Sequence, residues 1–144
     1  MSFGGVEMVE YDRYILWGSA GHAKVLNSII SLRGGQVIAL FDNNPNATSA
    51  LADVPLYIGQ DGFENWIKCE KDLHDLRGLA AIGGKHGRDR LAVHECFRAH
   101  GVHVEPLVHP QASVCSTALL GAGTQVLAQA VVASDSRIGE ACII

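Results

Sequence analysis

The chain has 144 residues, 48% of them apolar and 18% charged, with 16 glycines and a formal net charge of −4. That composition supports one folded domain with a short second unit and excludes a disordered tail. Lysine and arginine are scattered along the chain, which excludes an electrostatic footprint for nucleic acid.

No run reaches the ~18 apolar residues that crossing a bilayer takes. The acids Glu7, Glu10 and Asp12 stand where a secretory leader would be basic and then apolar, so a cytoplasmic location is expected. Cys69, Cys96, Cys115 and Cys142 are irregularly spaced and read as reduced thiols. His94, Cys96, His100 and His103 do not follow a zinc spacing, and no metal is expected.

Tyr14–Trp17 is an apolar run that ends in Gly18-Ser19-Ala20-Gly21-His22, and Val25, Leu26, Ile29 and Ile30 then fall at helical spacing. The helix is expected to stop at Gly34-Gly35, and a β-branched strand follows from Gln36 to Phe41. This βαβ unit ends in Asp42. A helix that begins just after a glycine turn aims unpaired N–H groups and a positive dipole end at the strand edge, a setting suited to phosphate. Asp42 then stands where an acid in dinucleotide folds bonds a ribose or base. Taken alone, the Gly18/Gly21 pair reads equally well as a tight turn.

Leu51–Ile58 reads as extended chain broken at Pro55, and Gly62–Lys68 as a weak helix. A second apolar run, Leu79–Ile82, meets Gly83, Gly84, Lys85, His86, Gly87 and Arg88, and a helix is expected from Asp89 to about His100 with Ala92, Val93, Cys96 and Phe97 on its buried face. If the two strands are parallel, their glycine turns meet on one sheet edge, and Lys85 and Arg88 form a second phosphate grip there. Arg90 reads equally as a solvated surface charge, and His86 reads more as one than as a ligand contact.

From Val108 every sixth residue is aliphatic: Val108, Val114, Leu120, Val126, Val132, Ile138 and Ile144. Ala112, Ala118, Thr124, Ala130, Ser136 and Cys142 follow at four-residue offsets, and all are small. Steps of about 100° per residue cannot keep every sixth side chain on one helix stripe, whereas a parallel β-helix with six-residue sides can. The period therefore divides the chain into an α/β unit, residues 1–107, and the start of a parallel β-helix, 108–144. An uncovered last rung leads to the expectation that the gene product is longer, or that the 144-residue species is stabilised by neighbours or is poorly soluble.

The set of Gly18-Ser-Ala-Gly-His22-Ala-Lys, Phe41-Asp42-Asn43, Ala81-Ile82-Gly83 with Arg88, and Val108-His109-Pro110 opening hexapeptide repeats resembles the PglD/NeuD family of sugar acetyltransferases. The resemblance implies a Rossmann-like parallel-sheet domain for a UDP- or GDP-linked amino sugar, followed by a left-handed parallel β-helix that forms a homotrimer and takes acetyl-CoA as co-substrate. By position, Ala20, Gly21 and His22 would approach the phosphates and Asp42 and Asn43 the nucleoside. Gly83, Gly84, Lys85 and Arg88 would line the other side.

The family's general-base histidine would lie beyond Ile144, so this chain alone is expected to bind rather than turn over. Ala133 stands at the family's usual asparagine, and Gly84 and Lys85 replace commoner polar residues. A nicotinamide-dependent oxidoreductase and a non-catalytic nucleotide-sugar sensor or scaffold are the competing readings, the first weakened by GxxG standing in place of GxGxxG.

Overall fold

The computed structural model describes residues 11–144; Glu7 and Glu10 lie outside the described residues. The first unit runs β1 (Arg13–Trp17), α1 (Gly21–Leu32), β2 (Gln36–Asp42), β3 (Leu56–Ile58), α2 (Gly59–Cys69), β4 (Leu76–Ala80) and α3 (Gly87–Ala99). Its four strands form one parallel sheet in the order β3-β2-β1-β4. The chain winds outward from β1 to β3 and then returns to the opposite side of β1. That reversal creates a crevice above the carboxyl ends of β1 and β4, the place where open α/β sheets bind ligands.

Both faces of this sheet are covered, which is why its strands are apolar runs rather than alternating ones. On one face α1 packs Ala23, Leu26, Ile29 and Ile30 against Leu16, Val37, Leu40 and Leu79. On the other, Phe63 and Ile67 of α2 and Phe97 of α3 pack against Ile15, Trp17, Ala39 and Phe41. A bulge between Tyr14 and Ile15 shifts the pairing of β1 with β2 by one residue, from Tyr14↔Val37 to Ile15↔Ala39.

Two expected elements change. Of the stretch 51–58 only Leu56–Ile58 pairs as a strand, because Val54 N–H turns back to Leu51 O (3.4 Å), with the Ser49 hydroxyl donating to the carbonyls of both residues. Helix α3 is also rotated from its expected face: Arg90, His94 and Phe97 are buried, while Ala92 is exposed. Apolar periodicity misplaced this face because two polar side chains go inward to satisfy backbone groups, as described below.

From Leu107 onward, six two-residue strands follow: β5 (Leu107–Val108), β6 (Ser113–Val114), β7 (Leu119–Leu120), β8 (Gln125–Val126), β9 (Val131–Val132) and β10 (Arg137–Ile138). They pair in parallel as β5 with β8, β6 with β9 and β7 with β10, so each residue meets the one eighteen positions on. The second residue of each strand is the six-residue-period aliphatic. Val126 and Val132 are buried, and Val108, Val114, Leu120 and Ile138 are half-buried. The first residues face outward, with Leu119 59% and Val131 71% exposed. Leu107 and Gln125 break that rule because they press against the first unit.

Candidate functional site

The turn after β1 is held by backbone. Gly18 N–H donates to Phe41 O (2.6 Å) and Ala81 N–H to Trp17 O (2.7 Å), joining the ends of three strands. Gly18 has φ +119°, and a Cβ there would collide with the Ala81 carbonyl, so only glycine lets the loops after β1 and β4 approach this closely. Helix α1 then begins with no side-chain cap and no acid in its first turn. Nothing within its own first turn offsets the N-terminal dipole, which faces the crevice.

That crevice is a cleft of about 450 Å³ whose lining includes Ala20, His22, Asp42, Asn43 and Gly83 among the residues expected from sequence. Gly21, Gly84, Lys85 and Arg88 are outside its lining; Lys85 and Arg88 stand exposed on and just past the next loop. Trp17, Ser19, Ile82 and His86 also line it and were not singled out as ligand contacts. Trp17 had a signal that sequence could not use: its indole Nε1 is buried without a partner, a donor that a chain of letters does not reveal as unsatisfied. A larger hollow of about 520 Å³ lies beside the start of β2, at the amino end of the sheet, where α1 ends ahead of Gly35 and no helix starts.

Asp42 is already engaged. Its Oδ2 accepts from Ser19 N–H and its Oδ1 from Asn44 N–H, both at 2.9 Å, so the carboxylate braces the glycine turn and its own loop. Each oxygen keeps a second lone pair for a ligand hydroxyl.

The repeat segment meets this site through polar contacts. The Gln125 side chain, fully buried, donates from Nε2 to Ala80 O (2.9 Å), and its Oε1 lies 2.6 Å from His22 Nε2. Ala80 N–H donates to His94 Nε2 (2.9 Å), so both outward backbone groups of Ala80, on the edge strand β4, are satisfied by side chains. His94 is 1% exposed and its pKa is pushed down to about 4, first by burial and then by Arg98 and Arg90. Its proton therefore sits on Nδ1, which is buried and unpartnered. Gly123 makes room for this ring, since a Cβ there would collide with the imidazole.

Arg90, 7% exposed, corrects the solvated reading. Nε donates to Ala141 O (2.8 Å), and Nη1 donates to the carbonyls of Ile82 (3.0 Å) and Gly84 (2.9 Å). It fastens the second glycine loop to the repeat segment. His86 is exposed as expected, 3.5 Å from Asp89.

Among the described residues no three His, Cys, Asp or Glu side chains gather as a metal site, and no helix is long and apolar enough to cross a membrane. The Cys115 thiol has its pKa lowered to about 7, first by the Ser134 hydroxyl and then by Thr117.

Residues 13–94 match the PglD N-terminal domain. No curated protein matches the chain by sequence. Among solved structures, the chain is similar to PerB from Caulobacter crescentus in complex with CoA and GDP-perosamine, at 31% identity and a TM-score of 0.76 over 91% of this chain and 58% of that one. A point mutant of perosamine N-acetyltransferase from the same organism, also with CoA and GDP-perosamine, matches at 30% identity and a TM-score of 0.75 over 91% and 59%. The acetyltransferase domain of PglB from Neisseria gonorrhoeae, in complex with acetyl coenzyme A, shares the fold at 21% identity and a TM-score of 0.73 over 94% and 62%. The chain thus spans about three-fifths of the length of each.

Proposed function

Because the chain belongs to the PglD N-terminal domain family, we propose that its cleft holds a nucleoside-diphosphate-linked amino sugar for acetylation by acetyl-CoA. The observation that carries the reading is the convergence, at one switch point, of the Gly18–His22 turn with its uncapped helix, the Asp42–Asn43 corner and the Ile82–Gly83 loop. The backbone N–H groups of Ala20, Gly21 and His22 meet the diphosphate, and Asp42 and Asn43 take the nucleoside end. Gly83 leaves space on the far wall, and Gly84 lets the loop behind it turn so that Lys85 and Arg88 reach the phosphates across the rim.

In the reaction the sugar amine attacks the thioester carbonyl, the carbon–sulfur bond breaks, CoA leaves as its thiol, and a general base takes the amine proton. The pairing of strands eighteen residues apart supports a left-handed parallel β-helix beginning near residue 108, with residues 1–107 as the nucleotide-sugar domain. A homotrimeric assembly, a cytoplasmic location and a role in bacterial surface-glycan synthesis belong to the same proposal.

Calorimetric titration of the chain with GDP- and UDP-linked amino sugars tests the reading. Saturable heat with one of them is expected, lost when Gly18→Val blocks the turn; no heat with either series would overturn it.

A further inference from the structure

Gln125 belongs to the repeat segment, yet its buried carboxamide ends behind the cleft, against His22, which lines it. Its orientation follows from its partners. The Ala80 carbonyl can only accept, so the amide nitrogen faces it and the amide oxygen faces His22. That oxygen can only accept, so this hydrogen bond requires the proton on His22 Nε2. The other ring edge looks the opposite way: a Cβ added to Gly83, on the cleft wall, would stand 3.7 Å from His22 Cγ and 3.8 Å from Nδ1. No side chain or backbone group among the described residues bonds Nδ1.

We infer that Gln125 is a positioning residue that locks neutral His22 as the Nε2–H tautomer, so that the cleft presents the Nδ1 lone pair as an acceptor for a donating group of the ligand, a sugar hydroxyl or amine N–H. A phosphate oxygen, itself an acceptor, is disfavoured at this point. The diphosphate is left to the backbone N–H groups of the glycine turn, and the His22 ring reads the sugar. The inference rests on the reading of the cleft as a nucleotide-sugar site, but the lock itself is a property of the free protein. It also gives the repeat segment a direct hold on ligand choice in the first unit, through a residue 103 positions away from His22.

Long-range proton–nitrogen NMR of the imidazoles in the free chain, at a pH where His22 is neutral, tests the lock without any ligand. The expected spectrum has the His22 proton on Nε2 in the wild type and a tautomer mixture in Gln125→Met. A wild-type Nδ1–H pattern overturns the inference, whatever the variant does. The second arm titrates GDP and GDP-perosamine: Gln125→Met and, should that variant not fold, His22→Phe are expected to lose about tenfold in affinity for the sugar nucleotide and little for GDP, the loss of one hydrogen bond. Equal losses on both ligands would place the ring against the phosphates and overturn the inference. If neither ligand binds the wild type, the nucleotide-sugar reading fails, and the tautomer spectrum still decides the lock.

Discussion

The two units of this chain are held by different physics. The sheet and its helices bury a continuous aromatic and aliphatic interior: Phe41, Phe63 and Phe97 are fully buried, and the Trp17 ring centroid lies 5.4–6.1 Å from all three of their centroids. The repeat segment buries only small side chains within its own stack, Val126 and Val132 with Thr124 and Ala141, and its strands are two residues long. Where the two meet, Leu107 supplies an apolar anchor, but Gln125 and Arg90 supply the specificity, Gln125 bonding Ala80 O of the sheet and Arg90 bonding Ala141 O of the repeat, while His94 satisfies Ala80 N–H within its own unit and packs against Gly123. A hydrophobic face tolerates sliding, whereas buried hydrogen bonds are satisfied in one register alone. The cleft therefore inherits its geometry from a joint that is polar and buried.

Substitutions can break or sharpen that contrast. The largest effect belongs to the apolar interior: Phe63→Ala empties the space between Trp17, Phe41 and Phe97 and is expected to cost about 3–5 kcal/mol, read as a shift of the urea midpoint. A loss below about 1 kcal/mol would mean that the interior repacks freely.

The joint comes next. His94 has an ordinary pKa of 6.5 and a folded value of about 4, so between these limits the unfolded state binds more protons than the native one. Stability is expected to fall as pH drops from about 6.5 to about 4, by about 3 kcal/mol in all, with no further contribution below that. In His94→Gln, whose side-chain oxygen can still accept from Ala80 N–H, urea titrations across this window should lose most of that slope. An unchanged slope would remove the neutral, buried His94 from the account.

The smallest effect belongs to the outer face of the stack. Val131→Thr, at a position 71% exposed on a two-residue strand, should change stability by no more than about 0.5 kcal/mol in the same titration. A cost well above that would show that this face is covered in solution.

Much of this was legible beforehand. The apolar run before Gly18, the helix after it, Asp42 closing the βαβ unit and the aliphatic residue at every sixth position are local or strictly periodic signals, and β1, α1, β2 and strands β5–β10 follow them. Ala20, His22, Asp42, Asn43 and Gly83 reached the cleft lining because a switch point in a parallel sheet gathers loops by topology. Arg90 and Gln125 were not legible in their roles. An arginine in a charged loop and a glutamine in a six-residue repeat look like surface residues until the carbonyls they serve are known.

By itself, then, the sequence determined which segments pair and wind, because periodicity and turn chemistry act over a few residues at a time. The tertiary structure alone decided which polar side chains went inside: that choice depends on backbone groups left unpaired at the edge of β4, in the loop after it and at Ala141, brought within reach of side chains six to fifty-one positions away.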